Sequence, residues 1–97
     1  MNMKDVKISA VSIHDFAEIK KSKHPENYFI VASYMSKGHS LALIRGDGQK
    51  ILVPCDWFKS NPVCKPDFND LEIIDCGQTI RLGKYEAASD AILKEFG

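Results

Sequence analysis

The sequence predicts an α+β domain: an antiparallel β-meander sheet of five to six strands, one or two short helices, and a C-terminal helix packed on the sheet. Three observations predict it. Apolar residues alternate with a period of two over 6–13, 28–35, 40–45 and 50–53, the side-chain repeat of a strand. Short polar or glycine-containing turns separate these runs. Near the end of the chain Tyr85, Ala88, Ile92 and Phe96 recur at spacings of three and four, the repeat of one helix face. Ninety-seven residues, 44% hydrophobic and 27% charged, fit one core, so the domain is expected to span 1–97.

Val6 to Ile13 is the first predicted strand, with Val6, Ile8 and Ala10 alternating with Lys7 and Ser9. Asp15 stands three residues before Glu18, a capping-box spacing, and Phe16 and Ile19 share a helical face, so a short helix is expected over 16–22. Pro25 lacks an amide proton and pushes His24 towards extended backbone, which ends that helix. Tyr28 to Met35 is rich in aromatic and β-branched residues and apolar on both faces at first, the pattern of a central strand. Ser36–His39 reads as a turn with Gly38 free to take positive φ. Ser40–Arg45 follows, with Leu41 and Leu43 facing opposite to Ala42 and Ile44. The Gly46-Asp47-Gly48-Gln49 linker is a hairpin signal, and Lys50–Val53 returns.

Pro54 ends that strand. Residues 55–60 suit one helical turn, which Asn61-Pro62 breaks, and 61–67 read as loop. Leu71–Asp75 and Thr79–Leu82 are two further short strands joined around Gly77. The final helix follows; its face begins at Tyr85, or Ser89 caps a shorter version with Asp90 in its first turn.

Charge and cysteine usage narrow the function classes. Thirteen Lys and Arg balance thirteen Asp and Glu, which gives no basic footprint for nucleic acid across the whole chain. Residues 1–50 hold eight basic against five acidic residues, and 51–97 five against eight. Such a dipolar surface steers a charged partner, or its charges simply solvate an outer face. No apolar run reaches the ~18–20 residues of a membrane helix, so no membrane association is expected. Three cysteines, an odd number, with no signal-peptide stretch at Met1–Asp5, point to a reducing, cytoplasmic setting.

Few residues suggest chemistry. His14, His24, His39, Cys55, Cys64 and Cys76 are the only soft ligands, and no pair has zinc-finger spacing. Cys76, beside Gly77, reads as a small buried hydrophobe. Gly46-Asp47-Gly48 lacks the Lys-Ser/Thr and the strand-to-helix setting of a phosphate loop. No catalytic residue, metal or cofactor is therefore expected. Two groups remain as candidate partner-binding residues. Trp57 and Phe58 form an aromatic pair at a proline-bounded turn. Such a pair anchors a partner, or it splits, with one ring plugging the sheet and the other half exposed. Lys20, Lys21 and Lys23, with His24 nearby, are the best candidates for phosphate contact, although no aromatic residues flank them for base stacking.

From residue 40 onward the order of features resembles the small bacterial family known as domain of unknown function 2442. The resemblance rests on Leu41–Arg45, the Asp47-Gly48 turn, Ile51-Leu52-Val53-Pro54, Trp57-Phe58, the strands Leu71–Ile74 and Thr79–Leu82 around Gly77, and the segment ending Ile92-Leu93. It covers Ser40 to Phe96. The family's Trp-Pro after the last strand is Leu82-Gly83 here, and its acidic Leu-Asp-x-Asp run is 85–90. The resemblance implies a small α/β domain with no established enzymatic activity, sometimes carried beside a DNA-binding helix-turn-helix or encoded next to a toxin-like partner. It carries no catalytic residues.

Together these readings lead to a non-enzymatic protein-interaction module, antitoxin-like or a small inhibitor, that acts by binding a protein partner. Addition of a strand at a sheet edge is its simplest mode, and an edge strand also offers a route to a homodimer. One alternative is a nucleic-acid-binding accessory or regulatory protein using Lys20, Lys21, Lys23 and Arg45 or Arg81. The other is a protein with a purely structural role.

Overall fold

The computed structural model describes residues 6–58 and 64–97, and the side chains from Lys7 onward. The fold is α+β, with seven strands in two antiparallel sheets rather than one sheet of five or six. The first sheet runs in order β1 (Val6–Ala10), β2 (Phe29–Met35), β3 (Ser40–Arg45), β4 (Lys50–Pro54). The second runs β5 (Leu71–Ile74), β6 (Thr79–Leu82), β7 (Tyr85–Ala88). Helix α1 (Ile13–Lys21) joins β1 to β2, and α2 (Ser89–Phe96) ends the chain. The meander expected from β2 to β4 is present, with β2 between β1 and β3. The split arises at the segment after β4. A 3-10 turn at Cys55–Trp57 takes the chain out of the first sheet, and β5 starts a second. The break expected at Asn61-Pro62 lies outside the described residues.

Period two sorts each strand into an inner and an outer face. In the first sheet, cross-strand rows Ser9–Ala32–Leu43–Ile51 and Lys7–Tyr34–Leu41–Val53 share one face. Ala32, Leu41, Leu43, Ile51 and Val53 are buried in the core there. The opposite face carries Ile8–Ser33–Ala42–Leu52 and Ala10–Val31–Ile44–Lys50. In the second sheet, Ile73, Ile80, Leu82 and Ala87 turn inward, and Glu72, Arg81 and Glu86 line up outward. Strand β5 packs close to β1 and β2, where the Ile73 amide donates to Ser9 Oγ at 3.3 Å. At the other side α2 lies against β4 and β7 and contributes Ile92, Leu93 and Phe96 to the shared core.

Several local boundaries differ from the sequence reading. Strand β1 stops at Ala10 because Ser12 caps α1: its Oγ accepts from the Asp15 amide at 3.1 Å. The helix therefore starts at Ile13 and not at 16, and Asp15 is in its first turn instead of being its cap. The residue with positive φ in the β2–β3 turn is His39 (φ 49°), not Gly38. Histidine tolerates that region better than most side chains, and the His39 carbonyl accepts from the Cys55 amide at 3.0 Å. Tyr85–Ala88 is a strand, not the first turn of the final helix. Tyr85 and Ala87 point to the core while Glu86 and Ala88 point out, so the Tyr85–Ala88 spacing of three was shared by chance with the helix repeat. Ser89 is the first residue of α2, and Ala88 holds the cap position. Its amide donates to Gln78 O at 2.8 Å, and its buried hydroxyl to Asn27 O at 3.0 Å.

Helix α1 closes one end of the molecule through a single buried residue, Ile19. The helix sits against the 3-10 turns Pro25–Asn27 and Asp75–Gly77. Two glycines make room for Ile19. A Cβ on Gly46 would stand 2.6 Å from Ile19 Cγ2 and 2.4 Å from Pro25 O. One on Gly77 would stand 2.9 Å from Ile19 Cδ1 and 2.7 Å from Phe29 O. Gly77 also has φ of +85°.

Candidate protein-interaction groove

Pro54, with φ −60° and ψ 136°, turns the chain away from β4 into the 3-10 turn. That turn places three side chains in order. Cys55 is buried and its amide is held by His39 O. Phe58 is buried, and its amide donates to Cys55 O at 3.1 Å. Trp57, between them in the chain, is only partly buried and lies on the rim of the core. Its indole meets the Phe58 ring edge to face at 5.2 Å and the Phe96 ring at 5.5 Å. Phe58 in turn touches Phe68 at 5.7 Å and Tyr85 at 6.3 Å. The pair thus splits as expected: Phe58 plugs the core and Trp57 has one side left towards solvent.

That open side faces a groove of about 380 Å³ lined by Trp57, Tyr85, Glu86, Ala87, Ala88 and Ala91. Three alanines make its floor low. Strand β7 is paired with β6 on one side only, so its other edge is not used by the sheet. A one-sided strand next to a groove with aromatic and alanine walls has the parts that strand addition requires: main-chain donors and acceptors, and a pocket for alternate side chains. Glu86 supplies the groove's charge. Its cross-strand neighbour Arg81 is already engaged, ion-paired to Glu72, 3.7 Å from Asp70, and donating to Gly83 O at 2.8 Å. The hydrogen bond to Glu72 holds the Arg81 pKa above its usual value.

A second concavity of about 450 Å³ lies at the start of α2, between Asn27, Gln78 and Ser89. The buried Ser89 hydroxyl there is spent on Asn27 O.

The lysines expected to form one basic site serve different ends. Lys20 Nζ donates to Gly46 O at 3.2 Å and lies 6.0 Å from the Phe16 ring centre, so it ties α1 to the β3–β4 turn. Lys21 and Lys23 are exposed near the end of α1, where cations suit the helix dipole. His24 Nδ1 is 3.2 Å from Glu26. Arg45 is ion-paired with Asp47, which raises the pKa of the first and lowers that of the second.

Cys55 and Cys76 are not activated thiols. Burial, with Asp56 adding to it, pushes Cys55 up to about 11. Cys76 is also raised, first by burial and then by Asp15. It is only partly buried, and with Asp75 it adopts positive φ (53° and 54°), so it is not the buried hydrophobe read from the sequence. It belongs to a tight turn that its neighbour Gly77 enters at +85°. Among the described residues no three His, Cys, Asp or Glu side chains converge as a metal site would require, and no helix is long and apolar enough to cross a membrane.

Sequence reasoning found Trp57 and missed the rest of the groove, because 85–88 read as helix. The signal was the alternation of Tyr85 and Ala87 with Glu86 and Ala88. No family model, no curated protein and no solved structure matches this chain.

Proposed function

We propose that this protein is a non-enzymatic interaction module, of the kind used by antitoxins and small inhibitors, that captures an extended segment of a protein partner along β7. The observation that carries this reading is the one-sided pairing of β7 beside the groove under Trp57. Strand addition supplies affinity through the backbone, and one apolar side chain of the partner, seated between Trp57 and Ala91, supplies selectivity. Glu86 favours a Lys or Arg in the partner strand, and the acidic excess of residues 51–97 adds to that preference. The resemblance over residues 40–96 is compatible with this reading, since the family has no established enzymatic activity and some of its members are encoded next to a toxin-like partner.

The test is selection of binders from a phage-displayed library of random peptides, followed by titration of the selected peptides. The expected winners alternate apolar and basic residues and bind the native protein. Ala91 is exposed on α2, so Ala91→Arg fills the groove without touching the core and is expected to weaken binding at least about tenfold, or about 1.4 kcal/mol. Peptides that bind Ala91→Arg as well as the native protein would refute the groove. If short duplex DNA bound instead, with affinity falling steeply between about 50 and 200 mM salt, the nucleic-acid alternative would replace this reading.

A further inference from the structure

The pairing of β7 with β6 fixes which backbone groups of β7 are open. The Ser89 amide donates to Gln78 O at 2.8 Å, one step beyond the Thr79–Ala88 pair. Opposite residues of an antiparallel pair alternate between bonded and non-bonded. Ile80–Ala87 and Leu82–Tyr85 are therefore bonded pairs, and Arg81–Glu86 and Thr79–Ala88 are not. Glu86 and Ala88 thus turn their backbone groups to the edge that β6 does not use. Ala88 also holds the cap position of α2, where its C=O starts the helix ladder. The edge therefore offers the Glu86 N–H and C=O and the Ala88 N–H.

The two concavities meet at Ala88, which lines both. Each has one charged lining residue, and in each it is a carboxylate: Glu86 in the groove, Asp90 in the concavity at the start of α2. Among the described residues neither carboxylate stands in an ion pair. From this arrangement, and resting on the reading of β7 as a strand-addition site, we infer that the second concavity is a subsite of the same interface and that the captured segment is a basic–apolar–basic stretch of three residues. A strand added at the edge sends alternate side chains to opposite faces of the sheet. The residue beside Ala87, which faces the core, points into the groove between Trp57 and Ala91. Its two neighbours, beside Glu86 and Ala88, point to the outer face. One meets the Glu86 carboxylate. The other passes over Ala88, whose methyl is too short to block a long side chain, towards Asp90, where the exposed amides of Asn27 and Gln78 offer further acceptors. The order reads the same in both directions, so it holds for parallel and for antiparallel addition. Beyond Ala88 the chain enters α2, and the ladder ends there.

Charge selects the partner and the backbone holds it. Glu86 and Asp90 are exposed, so each contributes what a solvated ion pair does, a factor of about two to five in affinity. The apolar residue in the groove and the bonds to Glu86 and Ala88 carry the rest.

Calorimetric titration with four end-blocked peptides, identical except for a central Lys-Leu-Lys, Lys-Leu-Glu, Glu-Leu-Lys or Glu-Leu-Glu, tests this. The native protein is expected to bind Lys-Leu-Lys most tightly and Glu-Leu-Glu least. Asp90→Asn is expected to weaken Lys-Leu-Lys about two- to fivefold. Asp90→Lys is expected to favour Glu at one outer position and to keep the preference for Lys at the other; which position changes gives the direction of the added strand. Ala88 already has φ of −73°, which suits proline, so Ala88→Pro removes the open N–H and is expected to keep the native circular dichroism while weakening all four peptides by a similar factor. A native protein that does not distinguish the four peptides overturns the inference. So do Asp90 variants that rank and bind them as the native protein does, or an Ala88→Pro variant that binds like the native protein. If the Asp90 variants change nothing while Ala91→Arg still weakens binding, the second concavity is lost and the groove stands. If Ala91→Arg changes nothing, or no peptide binds, the groove falls with it.

Discussion

Trp57 and Phe58 are adjacent in the chain and differ in what their loss should cost. Phe58 is buried to 4% exposure and sits among three other rings, Trp57, Phe68 and Tyr85. Phe58→Ala leaves a cavity under both sheets and is expected to cost about 3–5 kcal/mol, the range for truncating a buried aromatic. Trp57 keeps two edge-to-face contacts, with Phe58 and Phe96, each worth about 0.5–1.5 kcal/mol beyond area. Its open side means that the space it leaves fills with water instead of remaining a void. Trp57→Ala is therefore expected to cost about 2–3 kcal/mol, the two ring contacts plus a modest share of apolar area. The order matters more than either value: Phe58→Ala is the more damaging change, although tryptophan is the larger side chain. Urea denaturation of both variants gives the comparison, provided the slopes stay equal. In the native chain the single Trp should emit as a partly shielded indole. If Trp57→Ala proves the more destabilising, or leaves stability unchanged, the division between plug and rim is wrong. The functional half is independent. At concentrations where Trp57→Ala is still folded, it should bind the selected peptides more weakly than the native protein.

Two further outcomes follow from other parts of the fold. Gly46→Ala forces a methyl to within 2.4 Å of Pro25 O and 2.6 Å of Ile19 Cγ2; it should cost about 1–3 kcal/mol by overpacking and lower the melting temperature by several degrees, whereas a neutral or stabilising result would show that α1 does not dock through Ile19. The Cys55 thiol has its folded pKa raised to about 11 from 9.0, so the folded state holds a proton that the unfolded state releases. Its contribution is complete below pH ~9 and is lost as pH rises towards ~11. The denaturation midpoint should fall across that window, and Cys55→Ala should lose that part of the fall while keeping the rest of the pH profile.

Legibility of this fold followed the range of the interactions that decide each element. Strands β2, β3 and β4 could be read because each is a local run of six or seven residues or fewer closed by a short turn, and because Leu41 and Leu43 alternate with Ala42 and Ile44. The split into two sheets could not be read. It depends on Ile73 meeting Ser9, residues 64 apart in sequence, and no local period encodes that contact. Tyr85–Ala88 was misread because four residues satisfy both repeats at once, and pairing with β6 decides between them. The start of α1 was missed for a smaller reason: two cap candidates, Ser12 and Asp15, stand three apart, and only the first has extended backbone (φ −65°, ψ 163°). Of the candidate site, Trp57 was visible as an aromatic beside a proline. The alanines of the groove were not, since a small residue signals a cavity only when its neighbours in space are known.

Interaction, rather than chemistry, is the function we propose for this molecule. Several of its polar groups are engaged internally. Arg81 is held by Glu72 and Gly83, Arg45 by Asp47, Lys20 by Gly46, and Ser89 by Asn27. A catalytic group needs the opposite arrangement, with a charge or thiol poised by its surroundings to titrate near neutrality. Here the two thiols with shifted pKa values move away from it, and the clearest carboxylate shift, at Asp47, belongs to an exposed turn. The Trp57 side of β7 differs from these engaged groups in joining a strand edge that the sheet does not use to a concave surface with aromatic and alanine walls. A strand that only builds a core need be apolar every second residue, as β6 is with Ile80 and Leu82 inward and Thr79 and Arg81 outward. Strand β3 is apolar at four consecutive positions, Leu41 to Ile44. Leu41 and Leu43 face the shared core, and Ala42 on the opposite face is buried as well, at 6% exposure, so β3 is apolar on both faces because both are covered at that point, as suits a central strand.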